Sequence, residues 1–174
     1  MHKQLMDWLK ELKRGHPYVF RNRCVFEGGS MDVNGSPRSL FENCTYLGVD
    51  WRDGPGVDSV SLIHEFVPDA TDVFHTIVCT ETLEHDPHWR LSLARMINLL
   101  VPYGSLVISA AAPGRTPHRK EHAPDGEYYG NVEPVELLAE IWQTAQFQFT
   151  SLVLNTEHHD IYLFCNDKLE EVTK

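Results

Sequence analysis

The order of apolar and polar positions along the chain predicts an α/β fold. Compact apolar runs rich in β-branched residues alternate with segments in which apolar residues recur every three or four positions, which is the spacing of a helix. The compact runs predict strands at Cys24–Glu27, Tyr46–Asp50, Asp58–Ile63, Phe74–Thr80, Ser105–Ala110, Phe147–Leu154 and Ile161–Asn166. The helical spacing and a Ser-Pro start signal predict helices over 2–13, from Ser36 to Glu42, from Trp89 to Leu100, and over Pro134–Thr144.

Strands that alternate with helices favour an α/β, Rossmann-like, doubly wound and mostly parallel sheet of about seven strands. The last two predicted strands are joined only by the segment NTEHHD, so we expect an antiparallel C-terminal hairpin. The chain of 174 residues is expected to form a single domain over 1–174. Within it, 1–20 would be an N-terminal helix and lead-in, and 112–132 a polar loop able to act as a lid.

Composition narrows the class of protein. A hydrophobic share of 42% suits a folded domain, and no run approaches the roughly 18 apolar residues of a membrane span. The formal net charge of −10 disfavours a nucleic-acid partner, because such binding rests on Lys and Arg at phosphates. The cysteines form no CxxC pair, and the charged, amphipathic N-terminus lacks a secretory signal. We therefore expect a cytoplasmic protein with reduced thiols.

A glycine-rich turn follows the first predicted strand, in the segment VFEGGSMDVNGS at 25–36. Glu27 ends that strand, and Asp50 ends the next one, 23 residues later. Glycines let backbone N–H groups approach a ligand closely, and an acid about 20 residues on accepts hydrogen bonds from ribose hydroxyls. This spacing predicts a site for a nucleotide-containing cofactor with a free 2′-hydroxyl, since a carboxylate repels a 2′-phosphate.

Four segments in order resemble the class I S-adenosylmethionine-dependent methyltransferases, specifically the small type-11-like methyltransferase domains. They are VFEGGSMDVNGSPRSLF, YLGVDWRDGPGVD, HTIVCTETLEHDPHW and NLLVPYGSLVISAAAPG, and they lie within residues 22–166. The resemblance implies a transferase that uses S-adenosyl-L-methionine as its cofactor. The chain departs from the usual E-x-G-x-G-x-G motif, because Met31 stands where the middle glycine is expected.

The same resemblance implies roles for individual residues. Glu27 would orient the methionine end of the cofactor, Asp50 would bind the ribose, and Glu81 would contact the methionine part. The cofactor-binding candidates are Glu27, Gly28, Gly29, Ser30, Gly35, Asp50, Trp51, Ile63, His64, Thr80 and Glu81. Each has a structural alternative: Trp51 is equally expected to be ordinary packing, and for Ile63 packing in the core is the stronger expectation.

Glu84 and His85 are the candidate catalytic residues. A sulfonium methyl donor is already activated, so the protein mainly aligns donor and acceptor. A base of near-neutral pKa helps when the acceptor is a hydroxyl, and His is suited to that task. The alternative is that His85 only orders the start of a helix, because many methyltransferases lack a dedicated base.

The loop after the fifth predicted strand supplies the candidate substrate-binding residues Arg115, His118, His122 and Tyr128. Its positive groups suit an anionic acceptor, whereas a purely solvated loop is the simpler interpretation. Because little chain extends beyond the core fold, we expect a small-molecule acceptor, such as a metabolite or sugar unit methylated at O or N. A homodimer that completes the site stays open. No metal is expected, since the histidines lack closely paired ligand spacing.

Two other classes of function compete with methyl transfer. A non-catalytic protein that binds S-adenosylmethionine or S-adenosylhomocysteine, or a structural protein that retains the fold, is the main alternative. An NAD-dependent oxidoreductase is disfavoured because the chain has neither G-x-G-x-x-G nor a Tyr-x-x-x-Lys pair. The segment TETLEH also lacks the D/N/S-P-P-Y/F/W motif of nucleic-acid amino methyltransferases.

Overall fold

A computed structural model describes residues 3–69, 74–116 and 128–169 of the chain. Its strands are β1 (Cys24–Gly28), β2 (Thr45–Asp50), β3 (Ser59–Val60), β4 (Phe74–Thr80), β5 (Leu100–Ala111), β6 (Phe147–Asn155) and β7 (Asp160–Lys168). They form a seven-stranded sheet in the order β3-β2-β1-β4-β5-β7-β6. Strands β1 to β5 pair in parallel, and β7 pairs antiparallel with β5 and β6. The predicted Rossmann-like sheet with an antiparallel C-terminal hairpin is confirmed.

Three α-helices accompany the sheet in the described part of the chain: α1 (Lys3–Gly15), α2 (Trp89–Asn98) and α3 (Pro134–Thr144). Helix α1 buries one stripe formed by Leu5, Leu9 and Leu12, as their helical spacing predicts. Helix α3 begins at Pro134, where the missing N–H has no partner to lose, and carries Glu136 in its first turn.

Alternation of side chains along the central strands divides the core between the two faces of the sheet. Val25 and Val78 belong to the cluster that contains the leucines of α1. Their neighbours Phe26 and Ile77 belong to the cluster that contains the apolar stripes of α2 and α3. Because successive residues of a strand point to opposite faces, both layers are built from the same strands.

Two predicted elements between β1 and β4 differ in the structure. The helix predicted from Ser36 to Glu42 is only a 3₁₀ helix at Pro37–Leu40, although Ser36 does cap it by accepting a hydrogen bond from the Arg38 N–H. The strand predicted at Asp58–Ile63 pairs only over β3 and then turns into a 3₁₀ helix at Ile63–Glu65. Ile63 is buried there, next to Gly28 at the end of β1.

Strand β5 begins at Leu100 and not at the predicted Ser105. Pro102, Tyr103 and Gly104, which precede the predicted start, lie inside the strand, where the register with β4 shifts and Tyr103 has φ of +62°. These residues therefore form a bulge and do not end the pairing.

The described residues contain no helix long and apolar enough to cross a membrane. The cysteines Cys24, Cys44, Cys79 and Cys165 are all free thiols. Three of them lie in strands β1, β4 and β7, as predicted.

Candidate functional site

A cavity of about 670 Å³ opens where β1, β2 and β4 end. Open α/β folds bind ligands at this carboxyl edge of the sheet, because the loops that follow the strands meet there. The cavity brings together eleven of the residues predicted for the site, namely Glu27, Gly29, Ser30, Gly35, Asp50, Trp51, Ile63, Thr80, Glu81, His85 and Tyr128. The glycine-rich turn, the end of β2 and the exit from β4 form its walls.

Other predicted residues do not line this cavity. Gly28, His64, Glu84 and Arg115 are absent from its wall. The His64 ring instead lies beside α2, with Nδ1 3.5 Å from the Ser92 hydroxyl. The predicted substrate contacts His118 and His122 lie outside the described residues.

The glycines after β1 are required by close packing of the cavity walls. Gly29 has φ of +75°, and a Cβ at this position would lie 2.0 Å from Thr82 Oγ1. A Cβ on Gly28 would lie 2.9 Å from Ile63 Cδ1. These glycines therefore let the turn after β1 touch the exit from β4 and the 3₁₀ helix at Ile63–Glu65.

Met31 occupies the place where the family motif has its middle glycine. Its N–H donates a hydrogen bond to Asp50 Oδ2 at 3.2 Å, and its side chain lies against Gly54 and lines the cavity. The preceding Ser30 is buried, and its hydroxyl has no partner within the described residues. Met31 thus links the glycine-rich turn to the end of β2, and the Ser30 hydroxyl is a buried polar group at the cavity wall.

The Asp50 carboxylate accepts hydrogen bonds from the glycine-rich turn and from the segment that follows β2. Its Oδ2 accepts the bond from Met31, and its Oδ1 accepts the Arg52 N–H at 3.3 Å. The side chain lines the cavity and is only 7% exposed. Since each carboxylate oxygen has two lone pairs, Asp50 retains acceptor capacity for two ligand hydroxyls.

Glu27 lies at the end of β1 and is almost fully buried. The Tyr46 hydroxyl donates a hydrogen bond to its Oε2 at 2.8 Å. Burial raises the pKa of Glu27 to about 8, opposed by the Tyr46 bond and the Arg38 charge. The carboxyl group is therefore mostly protonated at neutral pH, and a cation placed beside it would favour its ionised form.

An apolar wall closes the end of the cavity next to β2. It contains Trp51, Leu62 and Ile63. Trp51 is 53% exposed, and the Arg52 guanidinium carbon lies 4.6 Å from the centroid of its ring. A half-exposed indole with Arg stacked on it presents a flat surface of the kind that suits a planar ring.

The exit from β4 is built around Glu81, which has φ of +50°. A non-glycine residue in this left-handed region is uncommon and costs about 1 kcal/mol or more. The Glu81 N–H donates to the backbone carbonyl of Ser109 at 3.0 Å and lies 3.2 Å from the Ser109 hydroxyl. Strand β5 thus holds Glu81 in a conformation that puts its side chain at the cavity wall.

The short 3₁₀ helix Leu83–His85 carries the rest of this wall. The His85 ring meets the Tyr129 ring edge-on at 5.2 Å. Asp86 accepts hydrogen bonds from the His88 N–H at 2.7 Å and from the Ser92 hydroxyl at 2.5 Å. The sequence interpretation missed Asp86 and its neighbour Pro87 as cavity residues, although both directly follow the E-x-L-E-H motif.

Glu84 lies behind the cavity wall. It is fully buried, and its Oε2 has no partner within the described residues. Burial raises its pKa to about 8, opposed by hydrogen bonds from its own N–H and from that of Ala111, and reinforced by the Glu81 charge. The Glu84 carbonyl accepts the Gly130 N–H at 2.8 Å, so this residue ties the returning chain to the site.

Arg115 was predicted to meet an anionic substrate, but its charge is engaged inside the protein. Its Nη1 lies 2.6 Å from Asp160 Oδ1 and donates to the His158 carbonyl at 3.0 Å. The two side chains of the ion pair are 15% and 7% exposed. Arg115 therefore contributes to the stability of the loop after β5.

Within the described ranges, no group of three or more His, Cys, Asp or Glu side chains is arranged to hold a metal ion.

Neither a protein-family model nor a curated protein sequence matches the chain. Solved structures do match it in fold. One is the 1,6-didemethyltoxoflavin-N1-methyltransferase of Burkholderia thailandensis, which was solved with 1,6-didemethyltoxoflavin and S-adenosylhomocysteine. Its sequence is 18% identical to this chain, and the structures superimpose with a TM-score of 0.65 over 94% of this chain and 78% of that one. The N-methyltransferase NodS of Bradyrhizobium japonicum WM9 is 14% identical with a TM-score of 0.63, over 93% and 95% of the two chains.

A third match shows that the fold alone does not identify the reaction. The [4+2]-cyclase SpnF is 9% identical with a TM-score of 0.69, over 96% of this chain and 83% of that one. The chain therefore has the class I S-adenosylmethionine-dependent methyltransferase fold. Because one fold hosts different reactions, the activity has to be argued from the site.

Proposed function

We propose that this protein binds S-adenosyl-L-methionine in the cavity and transfers its methyl group to a small molecule. One observation carries the proposal: Glu27, the glycine-rich turn, Asp50 and the exit from β4 all converge on this cavity. They do so on a fold shared with a Burkholderia enzyme that was solved with S-adenosylhomocysteine.

The residues of the cavity fit the parts of the cofactor. Asp50 has acceptor capacity for the ribose hydroxyls, and the wall at Trp51 and Ile63 suits the adenine ring. Glu27 and Glu81 are placed for the amino-acid end, where the ammonium group would favour the ionised form of Glu27. When bound there, the cofactor supplies a methyl group on a sulfonium that needs no further activation.

The task left to the protein is to place the acceptor and handle its proton. The turn Leu83–His85 sets the position of the His85 ring, and Tyr129 packs against that ring from the side. His85 lines the cavity and is the group we propose to accept a proton from the acceptor. Glu84 lies behind it and acts through the position of the wall.

Titration calorimetry with S-adenosylmethionine and S-adenosylhomocysteine tests the binding. Asp50→Ala should weaken both by about 1–3 kcal/mol, through loss of charge-assisted bonds to the ribose. Asp53→Ala is the matched control, because Asp53 is exposed and lies outside the cavity wall. Unchanged affinity in a folded Asp50→Ala protein removes Asp50 from the site. Absence of binding to the wild-type protein refutes the proposal.

A second comparison tests the proton acceptor. His85→Ala should lower turnover while the affinity for S-adenosylhomocysteine holds, since the ring acts on the acceptor. If turnover and affinity fall together, His85 has a structural role in the wall.

A non-catalytic binding protein is the second candidate. The observation in its favour is Met31, whose side chain lines the cavity where the resembling family has a glycine. This alternative would be supported if S-adenosylmethionine binds tightly while mass spectrometry detects no methylated product from any acceptor.

A further inference from the structure

We infer that two copies of this chain associate through β6, an edge strand of the sheet, which pairs antiparallel with β6 of the second copy. The cavity opens at the ends of β1, β2 and β4, and β6 is separated from β4 by β5 and β7. The pairing therefore leaves the cavity open, and the inference does not depend on the proposed function.

The two edges of the sheet differ in length. Strand β3, at one edge, is only two residues long. Strand β6, at the other edge, is nine residues long, and among the described strands only β7 pairs with it. Its register with β7 is constant from Phe147 to Asn155, so no bulge turns the outer edge away. A long, regular edge presents a row of backbone N–H and C=O groups to which another strand can bind.

The side chains of β6 do not protect this edge. Natural edge strands avoid pairing with other chains by carrying charged residues or proline. The sequence of β6 is FQFTSLVLN, which contains neither, and no Asp, Glu, Lys or Arg occurs from 141 to 156. Because 23% of the residues in the whole chain are charged, the lack of charge along an exposed edge strand indicates that another strand covers it.

The net charge of the chain limits where two copies can meet. With a formal net charge of −10, two copies repel each other over much of their surfaces. Contact along 141–156 brings no like charges together, because that run contains no charged residue. The uncharged edge is therefore a place where this acidic chain can bind a second copy of itself.

The sequence of β6 is complementary to itself in one antiparallel register. With a two-fold axis at Ser151, the middle residue of the strand, Phe149 of each copy lies opposite Val153 of the other. Both side chains are about half exposed. Their neighbours on β7, Phe164 and Tyr162, belong to the cluster that contains the leucines of α1, so both lie on that face of the sheet. Aromatic residues opposite β-branched ones form stabilising cross-strand pairs, and this register forms two of them.

Helix α3 adds apolar surface beside β6 on the other face of the sheet. Glu136 and Glu140 form ion pairs with α2. Trp142 lies on the opposite side of α3 by helical periodicity, and so does Val135. Because α2 connects β4 to β5, the side of α3 that faces away from α2 faces the edge at β6.

The exposed apolar surface at this edge is of the size that a dimer interface requires. Trp142 is 62% exposed and Phe149 is 48% exposed. An aromatic side chain buries roughly 150–250 Å² when it is covered, so these two rings contribute roughly 400 Å² over two copies. The exposed side chains of Val135, Val153 and Leu154 and the paired backbones add to this area, toward the roughly 1,000 Å² of a specific interface.

Sedimentation equilibrium of the full chain, at concentrations up to about 100 μM, tests the association. We expect a mass of about twice the 20.0 kDa of one chain. A wild-type protein that keeps the mass of one chain overturns the inference, and the edge would then serve a different partner.

Two opposite substitutions at the two-fold axis test the register. Ser151→Lys and Ser151→Glu each place like charges opposite one another, so each variant alone should associate at least about tenfold more weakly than the wild type. An equimolar mixture of the two variants should recover the dimer, because the charges at the axis are then opposite. Wild-type association of each variant alone overturns the assignment to β6, and a mixture that stays monomeric overturns the register.

A charge at the other edge of the sheet is the matched control. Val60 is an exposed valine on β3, and Val60→Lys should keep the wild-type mass. Trp142→Ala should weaken association several-fold, through loss of its exposed ring from the interface. Thermal melting checks that each variant is folded. If Val60→Lys separates the copies as Ser151→Lys does, added charge acts without regard to place and the inference is overturned.

Discussion

Two sides of the cavity are built by different means, and we call them the β2 side and the β4 side. On the β2 side, formed by the end of β2 and the turn after β1, backbone N–H groups hold the carboxylate of Asp50, and glycines let the surrounding segments touch. On the β4 side, formed by the exit from β4, Glu81 stands on a left-handed backbone, and Glu84 is buried behind the wall. The β2 side is thus shaped by close backbone contacts, and the β4 side by residues in costly environments.

Under the proposed function, the difference fits what each side would bind: the β2 side the nucleoside of the cofactor, and the β4 side, with His85, the acceptor. A cofactor shared by many proteins can be held by backbone geometry and a single acid. Selection among acceptors needs side chains whose charge and position are particular to the protein. Four experiments can break or sharpen this comparison.

The largest effect expected of a single substitution concerns the ion pair between Arg115 and Asp160, in the loop after β5. Asp160→Ala removes the carboxylate that pairs with the nearly buried Arg115, at a cost of about 3 kcal/mol in the free energy of unfolding. Urea denaturation measures this cost. Glu136→Ala is the control, because Arg90 and Glu136 form an exposed pair that should contribute less than about 1 kcal/mol. Equal losses of unfolding free energy in the two variants would show that burial does not make the Arg115–Asp160 pair more stabilising than an exposed pair.

The next effect concerns Gly29, on the β2 side of the cavity. Gly29→Ala forces a side chain into the left-handed region and places its Cβ 2.0 Å from Thr82 Oγ1. We expect a loss of about 2–3 kcal/mol from strain and overpacking together. Gly15→Ala is the control, since a Cβ there meets no atom within 4 Å. Adding Thr82→Ala should recover part of the loss, and a Gly29→Ala protein of wild-type stability would contradict the contact.

Two buried carboxyl groups have a pKa raised to about 8: Glu27 at the end of β1, and Glu84 behind the wall on the β4 side. A raised pKa means that the folded protein holds a proton that the unfolded chain, with a value of 4.5, has released. Stability should therefore fall as the pH rises from about 5 to about 8, by at most about 1.4 kcal/mol per pH unit for each group.

Denaturation at several pH values tests this slope. Glu84→Gln should flatten it, because the amide cannot ionise. Glu42→Gln should leave the slope in this window unchanged, since a hydrogen bond from Lys13 lowers the pKa of that exposed carboxyl. If stability is constant or rises from pH 5 to pH 8 in the wild-type protein, the two carboxyl groups are not protonated when buried.

The smallest effect concerns the adenine wall. Trp51→Ala should weaken S-adenosylhomocysteine binding by about 1 kcal/mol, through loss of one ring contact, with little change in stability because the side chain is half exposed. Trp142→Ala is the matched control, an exposed tryptophan on α3 away from the cavity. Equal affinity in the two variants would mean that Trp51 does not contact the adenine.

The sequence predicted those parts of the fold whose signals are local. Strand β4 and helix α3 have the predicted bounds, because a β-branched run and a Pro-started amphipathic stripe each bury their own face. The helix predicted from Ser36 to Glu42 is only a 3₁₀ helix at Pro37–Leu40. The strand predicted at Asp58–Ile63 is shorter than predicted, and its last residue, Ile63, packs against Gly28 at the end of β1. A contact between residues distant in the sequence leaves no pattern in the residues around either of them.

In the candidate site too, local sequence signals predicted some residues, and contacts between distant residues decided the others. Glu27 and Asp50 were predicted from strand ends and glycine spacing, and both line the cavity. Arg115 was predicted as a substrate contact from its charge, but Asp160, 45 residues along the chain, engages that charge. Asp86 was missed because only the path of the turn Leu83–His85 brings it to the wall.

By itself, the sequence determined the order of strands and helices, the carboxyl ends on which a site could stand, and the expectation of a nucleotide-containing cofactor. These follow from periodicity and turn chemistry, which act over a few residues. Only the tertiary structure decided which charges stay available. Burial and ion pairing depend on neighbours far apart in the chain: they raise the pKa of Glu27 and pair Arg115 with Asp160.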